Sequence, residues 1–469
     1  MRLGLAILTS VLIWGVVAVA PAQDAEPPRS FLQQQRLIDE KLQEERAEMA
    51  PVSSLVDFQW GGWLEYYLFH FDDGLQKSRH VQRPGLSFWT RLQLDDGTHE
   101  FFARVKLRYT YFGHGDEIDR QQDWWGPNFD RAWYRVDIGR ALRLTEPSDP
   151  YQLQARIGRQ ATQFGTGYAL DMPLDAVTVI GQIHDFRLKG LFGKTIGSYP
   201  NIDRSDPVDS HSHRYLFGAQ LSYHGFERHE PFIYTFWNND KTDERPRDRF
   251  QGYAYDTCYV GLGSHGELAH NLRYWAEAVY ESGQSYGDGD FLRRDTVAAY
   301  GWDIGLEYLF DTAMRPRVSA EYMFASGDPN RLFSPTNAQG GNYPDRKDSS
   351  FVAFGYRDTG IATGFTPSNM HIWRAGASLA PLEKIELFRN LEIGTNWFLY
   401  HKNRTRAAIS DFTAQQFDGH VGWEMDYFVN WRLASDVSWT ARWGTFFPGD
   451  AYQDRDSRHF IFTGLTWSF

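Results

Sequence analysis

The sequence predicts an all-β fold: a transmembrane antiparallel up-and-down β-barrel of about eighteen strands, preceded by a short N-terminal periplasmic helix. Three observations predict it. Alternating runs of roughly 10–15 residues, longer than the five or six usual in soluble sheets, recur from about residue 56 to the end. The connections alternate short and long, the rhythm of periplasmic turns and extracellular loops. Aromatics make up 16% of the chain while mean hydropathy is −0.52, which fits a wall whose alternate residues meet lipid and whose Trp and Tyr form girdles.

In chain order, residues 1–22 read as a secretory signal peptide: Arg2, the apolar run Leu3–Val19, then Ala20, Pro21 and Ala22 as a small-residue cleavage site. No cysteine follows that site, so no lipoprotein anchor is expected. No later segment approaches the ~18 apolar residues of a membrane helix. Residues 23–52 read as a polar periplasmic segment. Within it Ser30 caps a helix over 30–49 that carries Phe31, Ile38, Leu42 and Met49 at helical spacing. The barrel takes 53–469.

Its first runs fall near 56–70, 84–94, 98–112, 128–139, 150–158, 174–182, 185–193, 213–224 and 230–238. The rest fall near 253–263, 269–281, 297–310, 317–326, 369–380, 388–402, 419–433, 436–446 and 458–469. Run 98–112 is the clearest: Phe101, Ala103, Val105, Leu107, Tyr109 and Tyr111 face one way, and Phe102, Arg104, Lys106, Arg108 and Thr110 the other. It follows the tight turn Asp95-Asp96-Gly97. The closing run sets Ile461, Leu465, Trp467 and Phe469 on one face. Connection 327–368 is far longer than the others and rich in Gly, Pro, Asn and Asp; it is expected to fold over or into the mouth as a gate.

Parity turns Arg91, Arg104, Lys106, Arg108, Arg131, Arg135 and Arg156 inward from early strands, and Arg214, Arg273, Arg317, Arg374, Arg432 and Arg442 from middle and late ones. Inward acids cluster later: Glu277, Glu281, Asp303, Glu307, Glu321, Glu392, Glu424 and Asp426. Glu424 and Asp426 are expected to pair with Arg442 across their hairpin. Two readings stand side by side: cross-strand pairs that solvate a wet interior, and a basic path for an anionic or hydroxylated polymer. Arginine suits the second, because its planar fork grips carboxylates and stacks on rings.

A net charge of −12 argues against a nucleic-acid partner, and Cys258, the single cysteine, allows no intrachain disulfide. There is no H-E-x-x-H, and the G-x-S-x-G at Gly283 to Gly287 opens a long connection rather than a strand-to-helix elbow, so neither catalysis nor a cofactor is expected. The acidic stretches at 203–213 and 287–290 are expected to meet solvent rather than to hold a metal.

Several segments resemble the alginate export porins. They are Arg442 through Tyr452 (RWGTFFPGDAY) with the terminal strand, Gly422 to Asp426, Ile157-Gly158-Arg159-Gln160, Phe354-Gly355 with Ser368-Asn369, and Asn396 to Lys402. The resemblance implies an eighteen-stranded outer-membrane barrel that exports an exopolysaccharide, alginate-like or another anionic or hydroxylated polymer, through an arginine-lined lumen. It places Arg442 and Arg156 among the lumen arginines, with Arg131 and Arg91 beside them; Arg159 has outward parity and is expected at the rim. Implied partners are the polysaccharide, outer-membrane lipid and lipopolysaccharide, the barrel-assembly machinery and a periplasmic scaffold of a polysaccharide synthase. Both termini would be periplasmic. The alternative is a general or substrate-specific diffusion porin for small anions or sugars.

Overall fold

The computed structural model describes residues 56–72, 74, 78–113, 122–142, 151–197, 212–241, 255–286, 294–331, 334–336 and 347–469. The signal peptide and the 30–49 helix lie outside these residues.

Period-2 alternation does produce strands. The first are β1 (Val56–Asp72), β2 (Arg79–Leu94), β3 (His99–Phe112), β4 (Gln122–Asp137), β5 (Tyr151–Phe164) and β6 (Leu170–Ile183). There follow β7 (Phe186–Thr195), β8 (Arg214–Tyr223), β9 (His229–Asp240), β10 (Tyr255–Ala269), β11 (Leu272–Tyr286), β12 (Arg294–Leu309) and β13 (Arg317–Ala325). After β14, a two-residue strand at Lys347–Asp348, come β15 (Met370–Leu379), β16 (Leu391–Lys402), β17 (His420–Arg432), β18 (Val437–Pro448) and β19 (Arg458–Ser468). One helical turn, α1 (Ile138–Ala141), follows β4, with the Asp137 side chain accepting from the Arg140 N–H as its cap.

Each long strand pairs antiparallel with its neighbours, and β19 pairs with β1 from Trp63↔Ser468 to Asp72↔His459, which closes the sheet. Eighteen long strands therefore form a closed barrel, in which ladder pairing takes up backbone groups that an open edge would leave in lipid. The outer face is apolar: Leu64, Tyr66, Ile461, Leu465 and Trp467 are all exposed, while Trp63, Tyr67 and Phe462 on the opposite parity are buried. Among the described residues no helix is long and apolar enough to cross a membrane.

Several strands, β2, β4, β5, β6, β10 and β11 among them, run further at one end than alternation alone suggests. β5 continues to Phe164 and β6 begins at Leu170, so 165–169 is a tight hook at the long-loop end of the barrel. The Gly, Thr and Gln residues of 158–167 blur the apolar rhythm there, which is why the sequence reads as a break.

Candidate functional site

The interior is divided between two walls, and connection 326–369 decides which of them meets water. Its described part enters the barrel and packs Phe351, Val352 and Phe354 into an apolar cluster with Phe164, Tyr168, Phe236 and Tyr259. Phe351 stacks on Tyr168 with ring centroids 5.6 Å apart, and Phe354 meets Tyr259 edge-on. Backbone bonds tie the segment to the 165–169 hook: Phe354 N–H donates to Ala169 O at 2.9 Å, and Asp171 N–H to Phe354 O at 3.1 Å. A Cβ at Gly355 would lie 1.9 Å from Tyr168 O, so the two segments meet there at a distance only glycine permits.

The late-strand acids hold this segment. Glu281 accepts from Val352 N–H at 3.0 Å, Asp426 from Ile361 N–H at 3.1 Å, and Glu424 from Ala362 N–H and Thr363 Oγ1, both at 2.7 Å. Arg357 donates to Asp303 at 2.6 Å and to Thr166 O at 3.1 Å. Thr166 in turn donates to Glu277. Burial opposes the Arg357 charge, yet Asp303, Glu277 and Glu321 hold its pKa above the usual guanidinium value. Arg331 pairs with Asp348 at 2.9 Å, both fully buried. Asn369, at φ 55°, ends the segment by donating to the carbonyls of Arg404, Ala407 and Ala408. A segment held this firmly is a wall inside the bore rather than a free flap.

Glu424 and Asp426 therefore do not pair with Arg442, contrary to the sequence expectation; they accept backbone N–H groups of the inserted segment. Arg442 donates to Asn430 at 2.9 Å and lies 4.8 Å from the Phe428 ring centroid, nine-tenths buried. Other acids do pair across strands: Glu307 with Arg273 and Arg317, Glu392 with Arg317, and Glu321 with Arg374.

The early-strand cations form the opposite wall. Arg91 and Arg135 both hold Glu100, the former at 2.6 Å. Arg108 lies over Trp125 at 5.4 Å and Arg156 over Trp133 at 4.4 Å, both half-buried. Arg131 is also half-buried, opposite Arg104 in the ladder. Arg104 and Lys106 face inward as expected but are engaged with Asp130, Arg104 at 2.6 Å and Lys106 at 3.3 Å. Simple alternation hides Asp130. A β-bulge pairs Arg104 with Arg131 and Val105 with Phe129, so Asp130 is an extra residue that swings inward. Arg159 is on the outer face, paired with Asp175 at 2.8 Å.

Replacing Asp130 with Asn leaves the buried Arg104 guanidinium without its anion, which costs on the order of 3–5 kcal/mol. The expected result is a lower unfolding temperature in detergent together with stronger anion preference in a planar bilayer. Unchanged values for both would assign the pair no role.

The inserted segment and the hook thus bury the acids, with Glu277, Glu281, Asp303, Glu424 and Asp426 each at most 4% exposed, and leave half-buried arginines on the other side of the bore. Sequence parity missed Arg357 and Arg331, since irregular chain carries no period. The signal that was present lay in Phe354-Gly355 and Ser368-Asn369, both of which are anchor points of the segment.

Comparison with known proteins gives a family and a fold. Residues 86–464 match the family described as alginate export. No curated protein matches the chain. Among solved structures, Pseudomonas aeruginosa OccK5 (OpdH) aligns with TM-score 0.55 at 11% identity, covering 88% of this chain and 98% of that one. OccK11 (OpdR) of the same organism gives 0.53 at 11%, covering 88% and 96%. The outer membrane protein opdK from Pseudomonas aeruginosa gives 0.52 at 10%, covering 88% and 99%. At such identities these structures share the fold, a closed barrel.

Proposed function

The chain belongs to the alginate export family, and from that membership we propose that it is an outer-membrane porin exporting a secreted exopolysaccharide through its arginine-lined bore. One observation supports the reading most directly: the inserted segment takes Glu281, Asp303, Glu424 and Asp426 out of the bore and leaves the cations of β2–β5 facing it. A polyanion entering from the short-turn side meets spaced guanidinium groups, Arg108 and Arg156 lying over aromatic rings and Arg91 and Arg135 sharing Glu100. Every contact is weak enough to release, and conduction needs that. The residues carrying the path are Arg91, Arg108, Arg131, Arg135 and Arg156, with Arg104, Lys106 and Arg442 held further back. Glu424 and Asp426 serve it indirectly, by fixing the wall opposite.

Short turns at the end where both described termini of the barrel lie support a periplasmic placement of the termini. Energy for passage comes from polymer synthesis on the inner side, so a scaffold of the synthase is the proposed periplasmic partner.

The test is planar-bilayer conductance of the purified chain with oligouronates or monosaccharides added. Export predicts that oligouronates block at low salt while monosaccharides leave the current unchanged. Free passage of both, without block, would favour a diffusion porin for small anions or sugars.

A further inference from the structure

The bore holds a second lining that charge does not explain. On the inner face where β19 meets β1, Phe71 packs edge-on against Phe460 with centroids 4.7 Å apart, and Phe69 lies 4.9 Å from Phe462. Tyr67 meets Phe462 at 5.3 Å. Phe462 and Tyr67 are buried and form a bed; Phe69 and Phe460 are half-buried above it, and Phe71 is 39% exposed. Arg83 lies 5.0 Å from the Phe69 centroid.

The lining continues down the wall. Trp63, next inward aromatic on β1, carries Arg104 and Lys106 over its ring. Trp89 then stacks on Phe102 at 6.3 Å, Phe102 on Trp133 at 5.4 Å, and Arg156 lies over Trp133. The result is a diagonal of rings from the long-loop mouth on β1 to the lower half of β4, open at Phe69, Phe71 and Phe460, covered at Trp63 and Trp89, and half-buried at Phe102 and Trp133.

Phenyl groups facing a wet lumen are unfavourable, since each leaves apolar area in water that burial elsewhere would remove. A lumen that only needed solvating would carry polar residues here. We propose that this diagonal is a track for the apolar C–H faces of sugar rings, so that the transported polymer is one whose pyranose rings present bare faces, read by stacking as well as by charge. The inference rests on the export reading and narrows its substrate class. Flat rings in series suit it, because each contact is modest, of the size of an aromatic pair, and the next ring lies within about one sugar unit's reach.

The experiment measures block of single-channel current by a neutral glucan oligosaccharide and by an oligouronate, in the full chain and in a triple variant, Phe69→Leu, Phe71→Leu, Phe460→Leu. Leucine keeps apolar volume and removes the ring, and heat-dependent mobility in detergent gels verifies that the barrel is closed. Each block constant is normalised to that variant's own open current. The track predicts block by the neutral oligosaccharide that changes little with salt and weakens about tenfold in the triple variant, with Phe71→Tyr alone keeping it. Oligouronate block without neutral block, or neutral block untouched by the triple variant, overturns the track and leaves export standing. Absence of block by both sugars overturns export itself.

Discussion

Excising residues 347–368 widens the bore and lowers its anion preference at the same time. The first effect is steric: the segment fills the space between the 165–169 hook and the walls of β11–β17. The second is electrostatic. Removal returns Glu281, Asp303, Glu424 and Asp426, all now covered, to water opposite the arginines, while Glu277 stays bonded to Thr166 of the hook. Single-channel conductance is expected to rise several-fold, and the reversal potential in a salt gradient to move toward cation selectivity. A milder form of the same test is Arg357→Ala. Asp303 then stays buried without its 2.6 Å partner, a loss of about 3–5 kcal/mol borne by the segment rather than the ladder. Flickering, larger openings are expected with the barrel still closed. Unchanged conductance in both variants would mean that the segment does not bound the path.

That prediction rests on parts of the structure unequally legible in the sequence. The eighteen long strands were legible because lipid outside and water inside impose period 2 on every residue of the wall. Run 98–112 shows it best, and β3 spans nearly the same residues. Parity also placed Arg91, Arg108, Arg135 and Arg156 on the inner face. It failed at Asp130, where one inserted residue reverses the faces locally, and no composition signal marks a bulge. It also failed for the partners of Glu424 and Asp426. Alternation assigns a face, but what fills the space in front of that face comes from chain 60 or more residues away, at Ile361 and Ala362. The inserted segment itself was legible as length and as two short motifs without a role. Its path follows from where buried carboxylates need donors, a demand that arises only once the tube has closed.

Arg156→Ala is expected to impair polymer passage more than Arg442→Ala, although both were placed inward by the same parity. Arg156 is half-buried above Trp133, so its charge reaches the bore. Arg442 is nine-tenths buried and bonded to Asn430, behind the inserted segment's anchor. A guanidinium about 5 Å from a passing carboxylate in a wet lumen contributes on the order of 1 kcal/mol, or about fivefold in block constant. Arg156→Ala should therefore weaken oligouronate block about fivefold at low salt and lower anion selectivity. Most of that difference should vanish near 1 M salt, where the Debye length falls to about 3 Å. Arg442→Ala should change block little while lowering the unfolding temperature, since it empties a packed position over Phe428. Equal effects on block from the two variants, or a salt-independent loss at Arg156, would show that the arginines act through the shape of the wall and not through their charge in the bore.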